Sequence, residues 1–334
     1  MKLDKKSYEK SFSGFFLTDC VVRKKDILYF TAEQEFDEES KTQEKRKLRT
    51  RVIGCMEKNN IQQWGHADLG GMHRIVAGVS YQPKEQFVGV TLNAHVYVVG
   101  SGEVGFEHDL KGSNSKELKQ KNAAPEEYML RGGITKLRTI EGRLYGCGLG
   151  RTVIDRVEKN EWHYHTELPK DKSFLDDTGF SDIDGFSSND IYAVGGHGDV
   201  WNFDGKQWKQ IPFPSNMTLE TVCCAGDGQV YIGAESGTVF KGRDNKWKLI
   251  SRGHMTLPFK DIVWHQDKLW CTSDYGLWVL ENDKVREADV PYGVSVCAGN
   301  LSVGDGVMLL AGMYGAAMHD GKEWHRIIDF SNLA

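Results

Sequence analysis

The chain has 334 residues, of which 37 are glycine and only 7 are proline, while 40% are hydrophobic and 27% are charged. This balance excludes a disordered or fibrous protein, and an excess of glycine without proline indicates many tight turns. The formal net charge of −5 argues against direct binding of nucleic acid, which needs a basic surface. The length fits either two or three average domains or one long, closed β fold.

No stretch approaches eighteen uncharged apolar residues, so the sequence predicts no membrane span. The first sixteen residues carry charges and lack the apolar run of a secretory signal. The seven cysteines are scattered, and none lies in a Cys-x-x-Cys pair. They are typical of buried thiols in a reducing compartment, so we expect a cytoplasmic protein.

A short strand motif recurs along the chain, first as Ile27-Leu-Tyr-Phe30 and later in forms such as Asp190-Ile-Tyr-Ala-Val-Gly195. Its aromatic or apolar centre falls at Tyr97, Tyr145, Tyr192, Tyr231, Trp270 and Leu309. The last three intervals in this series are each 39 residues. Self-similarity at a fixed period is the mark of a repeat architecture.

A second series lies near the end of each repeat, after a short turn rich in Asp, Asn and Gly. It consists of Trp162, Trp208, Trp247, Val285 and Trp324, at steps of 46, 39, 38 and 39 residues. Ile61 matches this position two units before Trp162. The turns suit two-residue hairpins, which need positive φ. We expect the aromatic residue of this outer strand to pack between neighbouring units.

Seven such units are present, and each is predicted to have four short antiparallel strands. Four strands every 40 or so residues is the period of a β-propeller blade. The sequence therefore predicts one all-β domain, a seven-bladed propeller, whereas a β-sandwich would not show an equal period. The blades cover roughly residues 14–64, 72–130, 131–167, 180–213, 218–251, 258–290 and 294–330. From Phe15 to Ile328 the repeats resemble bacterial sialidase-type and photosystem-assembly-factor-like propellers.

Two insertions interrupt the repeat, at 31–50 and 107–131. The first has an acidic half followed by a basic half, which is typical of a long hairpin whose arms pair. It is either a solvated protrusion or an arm that grips a partner. The second is rich in Lys, Ser and Asn, and we expect it to replace the outer hairpin of the second blade with a surface loop.

Propeller topology places the turns between second and third strands on the same face as the connections between blades. Aromatic residues, methionines and acids gathered there favour a protein-binding surface. The candidate contact residues are Glu33, Glu35, Asp37, Glu38, Glu39, Asp171, Phe174, Asp176, Asp177, Phe180, His197, Asp274, Tyr275, Tyr292, Met313 and Tyr314.

Motifs of catalysis and cofactor binding are missing from the sequence. No Gly-x-Gly-x-x-Gly precedes a helix, and the sequence has no Gly-x4-Gly-Lys-Ser/Thr loop and no Gly-x-Ser-x-Gly nucleophile turn. His163 and His165 alternate on one strand, but zinc needs three or four ligands. The acids at 176, 177, 182 and 184 lack the spacing of a calcium loop. We therefore predict no catalytic residue, no cofactor and no metal.

A single propeller of this size, mildly acidic and without a catalytic constellation, resembles the immunity proteins of bacterial polymorphic toxin systems, including type VI secretion. That resemblance implies a non-enzymatic protein that binds and blocks a basic toxin domain, with a nuclease as the expected kind. The acidic half of the first insertion and the acids at 171, 176 and 177 would face the toxin. The alternatives are a propeller hydrolase or lyase acting on a sugar or lactone, and an assembly scaffold.

Overall fold

The computed structural model describes residues 1–35, 49–59, 61–70, 72, 74–111, 130–169 and 179–333. Its strands form seven antiparallel sheets of four, and in each sheet the strands lie side by side in chain order. This is the predicted seven-bladed, all-β propeller.

The blades begin at Phe15, Ile75, Ile134, Phe180, Leu219, Asp261 and Asn300. In chain order, strands β1 to β12 of the first three blades are Phe15–Lys24, Ile27–Gln34, Arg49–Lys58, Ile61–Gly70, Ile75–Ser80, Gln86–Thr91, Val96–Gly100, Glu103–Phe106, Ile134–Ile140, Arg143–Gly148, Thr152–Glu158 and Glu161–Tyr164. Strands β13 to β20 of blades four and five are Phe180–Ser187, Asp190–Gly195, Asp199–Phe203, Trp208–Gln210, Leu219–Cys224, Val230–Ala234, Thr238–Arg243 and Lys246–Ser251. Strands β21 to β28 of blades six and seven are Asp261–His265, Lys268–Ser273, Gly276–Glu281, Lys284–Glu287, Asn300–Gly304, Val307–Gly312, Gly315–His319 and Trp324–Asp329.

The ring closes through its innermost strands. Each first strand of a blade contacts the first strand of the next blade, and β1 contacts β25. The backbone N–H of Val22 in β1 donates to the hydroxyl of Ser302 in β25 at 3.0 Å. Outside this seam, the N–H of Leu3 donates to the carbonyl of Ile327 in β28 at 2.8 Å, so the N-terminal segment holds the last blade to the first.

In the part of the chain that the structure describes, two short α-helices lie outside the blades. Helix α1 (Lys5–Ser11) begins at Asp4, whose carboxylate accepts the N–H of Ser7 at 3.0 Å. Helix α2 (Tyr292–Ser295) lies in the connection between blades six and seven. Single 3-10 turns occur at Glu235–Gly237 and Phe330–Asn332. With two turns or fewer, neither α-helix is long enough to show a hydrophobic period.

The hydrophobic core is divided among the seven interfaces between neighbouring blades. Trp162 and Trp208 are buried at two of them, as predicted for the outer strand. The prediction is wrong for Ile61, which is 64% exposed at the start of β4. Trp64, three residues further on, takes its place and packs edge-on against Phe12 with ring centroids 5.4 Å apart.

Each of the two insertions lies between consecutive strands of the chain. The first separates β2 from β3, and residues 36–48 lie outside the described residues. At its base, the carboxylate of Glu33 accepts the N–H of Arg74 at 3.0 Å, while Arg51 pairs with Asp68 of β4. The second insertion does not replace the outer hairpin of blade two, because β8 is present as the fourth strand and the insertion follows it.

Not all the repeat glycines lie in turns. Gly195 and Gly312 end the second strands of blades four and seven, where the connection from the preceding blade crosses them. A Cβ at Gly195 would lie 1.9 Å from the carbonyl oxygen of Gly179, and one at Gly312 would lie 1.8 Å from that of Ala298. Backbone oxygens this close leave no room for a side chain, so these glycines are required for close approach of two chain segments.

We expect Gly195→Ala to destabilise the protein by about 1–3 kcal/mol, because the backbone of the connection would have to move. The matched control is Gly65→Ala, since a Cβ at this exposed strand position meets no atom within 4 Å. The control should change stability by less than about 0.5 kcal/mol. Urea unfolding of the two variants measures the difference, and equal stabilities would contradict the close-packing role.

His265 and His319 meet between blades six and seven, with Nε2 of the first 3.0 Å from Nδ1 of the second. Burial, aided by the neighbouring His319, lowers the pKa of His265 from 6.5 to about 4. The unfolded chain therefore binds a proton between these two pH values that the folded chain does not. Stability from this group is present above pH 6.5 and is lost as the pH falls towards 4.

Between pH 7 and pH 4, the free energy of unfolding should fall for both proteins. We expect the decrease to be about 3 kcal/mol smaller for His265→Gln than for the wild type. The comparison is made by urea unfolding at several pH values, so that a constant effect of the substitution cancels. Parallel pH profiles for the two proteins would show that His265 is not held neutral by the fold.

Candidate functional site

The turns between second and third strands lie beside the connections between blades, as the topology predicted. His197, in the turn after β14, forms a bridge with Thr218 of the following connection, and Leu149 forms one with Gly179. The N–H of Met255 donates to the carbonyl of Ser236 at 3.1 Å. Turns and connections together form one end of the ring, which we call the crossover face.

Four large side chains stand out on this face around blades six and seven. Tyr275 is 85% exposed, Tyr292 83%, Met313 62% and Tyr314 64%. We call these four residues the aromatic patch. Exposed apolar residues that stand close together are typical of interaction surfaces, and tyrosine is favoured there because it offers a large rigid area with a polar tip.

The connection that carries Tyr292 contacts both of the blades whose turns carry the other three residues. The N–H of Gly299 in this connection donates to Oγ1 of Thr272, three residues before Tyr275. On the other side, Ala298 touches Gly312, next to Met313. Arg326 then donates to the carbonyl of Tyr314 at 3.4 Å. These contacts hold the backbone of the patch and leave its side chains free.

The remaining described candidates surround the patch or lie further along the crossover face. His197 and Glu35 are exposed, and Glu33 is partly buried. Asp274 is exposed and pairs with Lys260 at 3.2 Å. The neighbouring Glu235 accepts the N–H of Thr218 at 2.7 Å, which lowers the pKa of its carboxyl. Acidic and aromatic groups therefore share this face.

Phe180 does not belong to the surface. Its side chain is 1% exposed and lies in the core between blades three and four. The reason is that Phe180 is the first residue of strand β13 and does not belong to the connection before it. Seven other candidates lie outside the described residues: Asp37, Glu38, Glu39, Asp171, Phe174, Asp176 and Asp177.

Four aspartates on the innermost strands connect neighbouring blades around the channel. Each carboxylate accepts a backbone N–H from the first strand of the next blade, at distances between 2.8 and 3.1 Å. The pairs are Asp19 with Ala77, Asp182 with Val222, Asp184 with Cys224, and Asp261 with Leu301. Two of the four acids weighed for calcium in the sequence, Asp182 and Asp184, thus connect blades four and five. We call the four residues the interblade aspartates.

Two cations from blade three reach across the channel to these carboxylates. Arg138 donates to Asp182 at 2.9 Å and to Asp261 at 3.0 Å, and Lys136 pairs with Asp261 on the far side of the ring. Burial would raise the pKa of Asp261, but the charges of Lys136 and Arg138 outweigh burial and lower it. Asp184 has less compensation, and burial raises its pKa to about 6. The charge pairs therefore connect opposite sides of the ring.

A cavity of about 730 Å³ is lined in part by these charged residues, including Lys136, Arg138 and Asp184. Its rim includes Lys24, Glu85 and Asp305, at the turns between first and second strands, so it opens at the end opposite the crossover face. Glu85 is paired with Arg23 at 2.8 Å and with Lys24 at 3.1 Å. The cavity and the aromatic patch are therefore at opposite ends of the protein.

The cysteines are free, and six of the seven are buried. Burial raises the pKa of Cys223 well above that of an ordinary thiol, and the same holds for its neighbour Cys224. Such thiols are unreactive at neutral pH and act as small core residues, as the sequence predicted.

The fold and the strand order define a seven-bladed β-propeller. Among solved structures, it is similar to the WD40 β-propeller domain of Doa1, with a TM-score of 0.59 and 11% identity, over 96% of this chain and 95% of that one. It is also similar to the WD40 repeats of RRP9, with a TM-score of 0.58 and 11% identity, over 94% and 93% of the two chains. At this level of identity the likeness concerns the fold alone.

The sequence is similar to that of immune protein Tsi7 of Pseudomonas aeruginosa, with 28% identity over 254 residues that cover 76% of this chain and 79% of Tsi7. The predicted resemblance to bacterial immunity proteins is thus confirmed. No protein-family model matches the chain. None of the helices in the described residues is long and apolar enough to cross a membrane.

Proposed function

We propose that this protein is an immunity protein that binds a cognate bacterial toxin through the crossover face and blocks it. The observation that carries the proposal is the similarity to immune protein Tsi7 over three quarters of the chain. The aromatic patch supports it, because a protein-binding surface needs a few large anchors that become buried in the complex.

The mechanism is occlusion of the toxin. Burial of the tyrosines would slow dissociation, while the acidic groups of the same face would speed association with a basic partner. A nuclease fits this pattern, since its substrate-binding surface must be basic to contact phosphates. We propose that the complex forms in the cytoplasm with a type VI effector, and that the protein contacts neither nucleic acid nor membrane.

The alternatives differ in where a partner or substrate would bind. A hydrolase or lyase would use the channel, where the interblade aspartates already accept backbone N–H groups and salt bridges. These contacts give the carboxylates a structural role, which favours the binding function. An assembly scaffold would also use the crossover face, but its partner would not be toxic.

Affinity capture from the native host tests the proposal. The full chain is tagged and recovered with its partner, and the partner is then expressed alone in a sensitive strain. We expect one dominant partner, and we expect cells that express it alone to stop growing. A harmless partner would contradict the immunity function and favour the scaffold, whereas turnover of a glycoside or lactone by the purified protein would favour the hydrolase.

A further inference from the structure

The sequence singled out His163 and His165 but offered only two metal ligands. The structure adds a third residue from the neighbouring strand. Asp155 of β11 lies directly opposite His163 of β12 in the hairpin register. Its Oδ1 atom is 2.9 Å from Nδ1 of His163 and 3.1 Å from Nε2 of His165. One oxygen and two imidazole nitrogens therefore converge, and all lie within 4.8 Å of one another.

We propose that Asp155, His163 and His165 form a binding site for a divalent transition-metal ion of the zinc type. Imidazole nitrogen and carboxylate oxygen are ligands that Zn²⁺ prefers, while Ca²⁺ and Mg²⁺ prefer oxygen alone. Ligand atoms of a tetrahedral zinc site lie roughly 3.4 Å apart, given bonds of about 2.1 Å. The distances from Asp155 are a few tenths of an ångström shorter than that, so small side-chain movements would admit the ion.

The residues around the site orient the ligands. Arg143 donates to Oδ2 of Asp155 at 3.0 Å, which leaves Oδ1 for the ion. The backbone N–H of His165 donates to the carbonyl of Val153 at 3.0 Å and keeps this residue beside β11. The side chains of Asp155 and His165 are nearly fully buried, whereas that of His163 is 56% exposed. Water can therefore complete the coordination from the open side.

Binding requires each imidazole to present a lone pair to the ion. Trp208 donates a hydrogen bond to Nδ1 of His165 at 3.1 Å, so Nε2 carries the ring proton and donates a hydrogen bond to Asp155. When the ion binds to Nε2, the ring proton moves to Nδ1. Glu167 Oε1 lies 3.3 Å from Nδ1 and can accept the hydrogen bond from it. This carboxylate–histidine–metal arrangement is common in zinc sites. The lost indole hydrogen bond lowers the affinity but does not prevent binding.

The site is at the outer edge of blade three, beside blade four. It connects β11, β12 and the start of the connection at 165–179, whose later residues include three of the predicted toxin-contacting acids. A bound ion would fix the first residues of this connection to the blade. The inference does not depend on the proposed function, because it concerns metal binding by the isolated protein.

The test uses the full chain without a histidine tag, stripped of metal with a chelator. Zn²⁺ is added in a calorimetric titration, and Co²⁺ is used as a spectroscopic probe. We expect one equivalent of Zn²⁺ to bind, and we expect Co²⁺ to give the visible absorption of a tetrahedral site. His163→Ala should weaken binding at least tenfold, and its unfolding temperature without metal should match the wild type because the ring is exposed.

The matched control is His325→Ala. His325 lies near Asp320 and Glu323 in a second group of possible ligands, but all three are exposed. In that group, the Asp320 carboxylate already accepts the N–H groups of Lys322 and Glu323. We expect the control to bind like the wild type. Absence of stoichiometric binding in the wild type, unchanged binding in His163→Ala, or loss of binding in His325→Ala would each overturn the proposal.

Discussion

Replacing Tyr275, Tyr292 and Tyr314 together by alanine is expected to weaken the complex with the proposed toxin partner at least a hundredfold. Each ring is more than half exposed in the free protein, so its burial in the complex contributes to binding rather than to folding. A buried aromatic anchor typically contributes about 2 kcal/mol or more, and a hundredfold corresponds to about 2.7 kcal/mol. The dissociation constant of the purified complex, measured by calorimetry or interferometry, gives the result.

The substitutions should leave the fold intact. The turn of Tyr275 is held by its backbone N–H, which donates to Oγ of Ser273 at 3.2 Å, and Tyr314 is held through its carbonyl. Ile61→Ala is the matched control, because this apolar side chain is 64% exposed but lies beside a turn at the opposite end of the ring. The control should bind with wild-type affinity. Equal affinities of the triple variant and the control would remove the patch from the interface.

Asp261→Ala is expected to destabilise the protein by about 3–5 kcal/mol. The carboxylate is fully buried. It forms salt bridges with Lys136 and Arg138, and it accepts a hydrogen bond from the backbone N–H of Leu301. Its loss removes the carboxylate that pairs directly with Lys136 inside the ring, and it removes one connection between blades six and seven. Urea unfolding at neutral pH measures the change.

Two further variants separate this effect from a general sensitivity to substitution. Asp274→Ala removes an ion pair of exposed side chains with Lys260, so it should cost about 1 kcal/mol or less. The double variant Asp261→Leu with Lys136→Met should recover much of the lost stability, because it removes both charges of the buried pair. If the double variant is less stable than Asp261→Ala, the charge pair is not the source of the effect.

The number of blades could be predicted from the sequence because every blade has the same four-stranded order and packs against its neighbours in the same way. Tyr192, Tyr231 and Trp270 each lie in the second strand of a blade, and their equal spacing reflects one repeated strand length and turn. The prediction failed where a blade departs from that length. In blade one, the third and fourth strands have ten residues each, which moved the packing position from Ile61 to Trp64.

The candidate site was predicted less completely, because contacts between distant blades leave no local pattern. Lys136 and Asp261 are 125 residues apart, and only ring closure brings them together. Phe180 was predicted as the last residue of a connection between blades, although it begins a strand. By contrast, Asp155 could have been found by counting back across the turn from His163, since paired strands place these residues opposite each other.

Survival of cells that express the captured partner tests the central claim most directly. The toxin is expressed together with the wild-type protein, with Ile61→Ala or with the triple tyrosine variant, and colony counts are compared at equal protein levels. The account predicts protection by the first two proteins and death with the third. Death with the wild type would contradict an immunity function, and full protection by the triple variant would contradict binding through the aromatic patch.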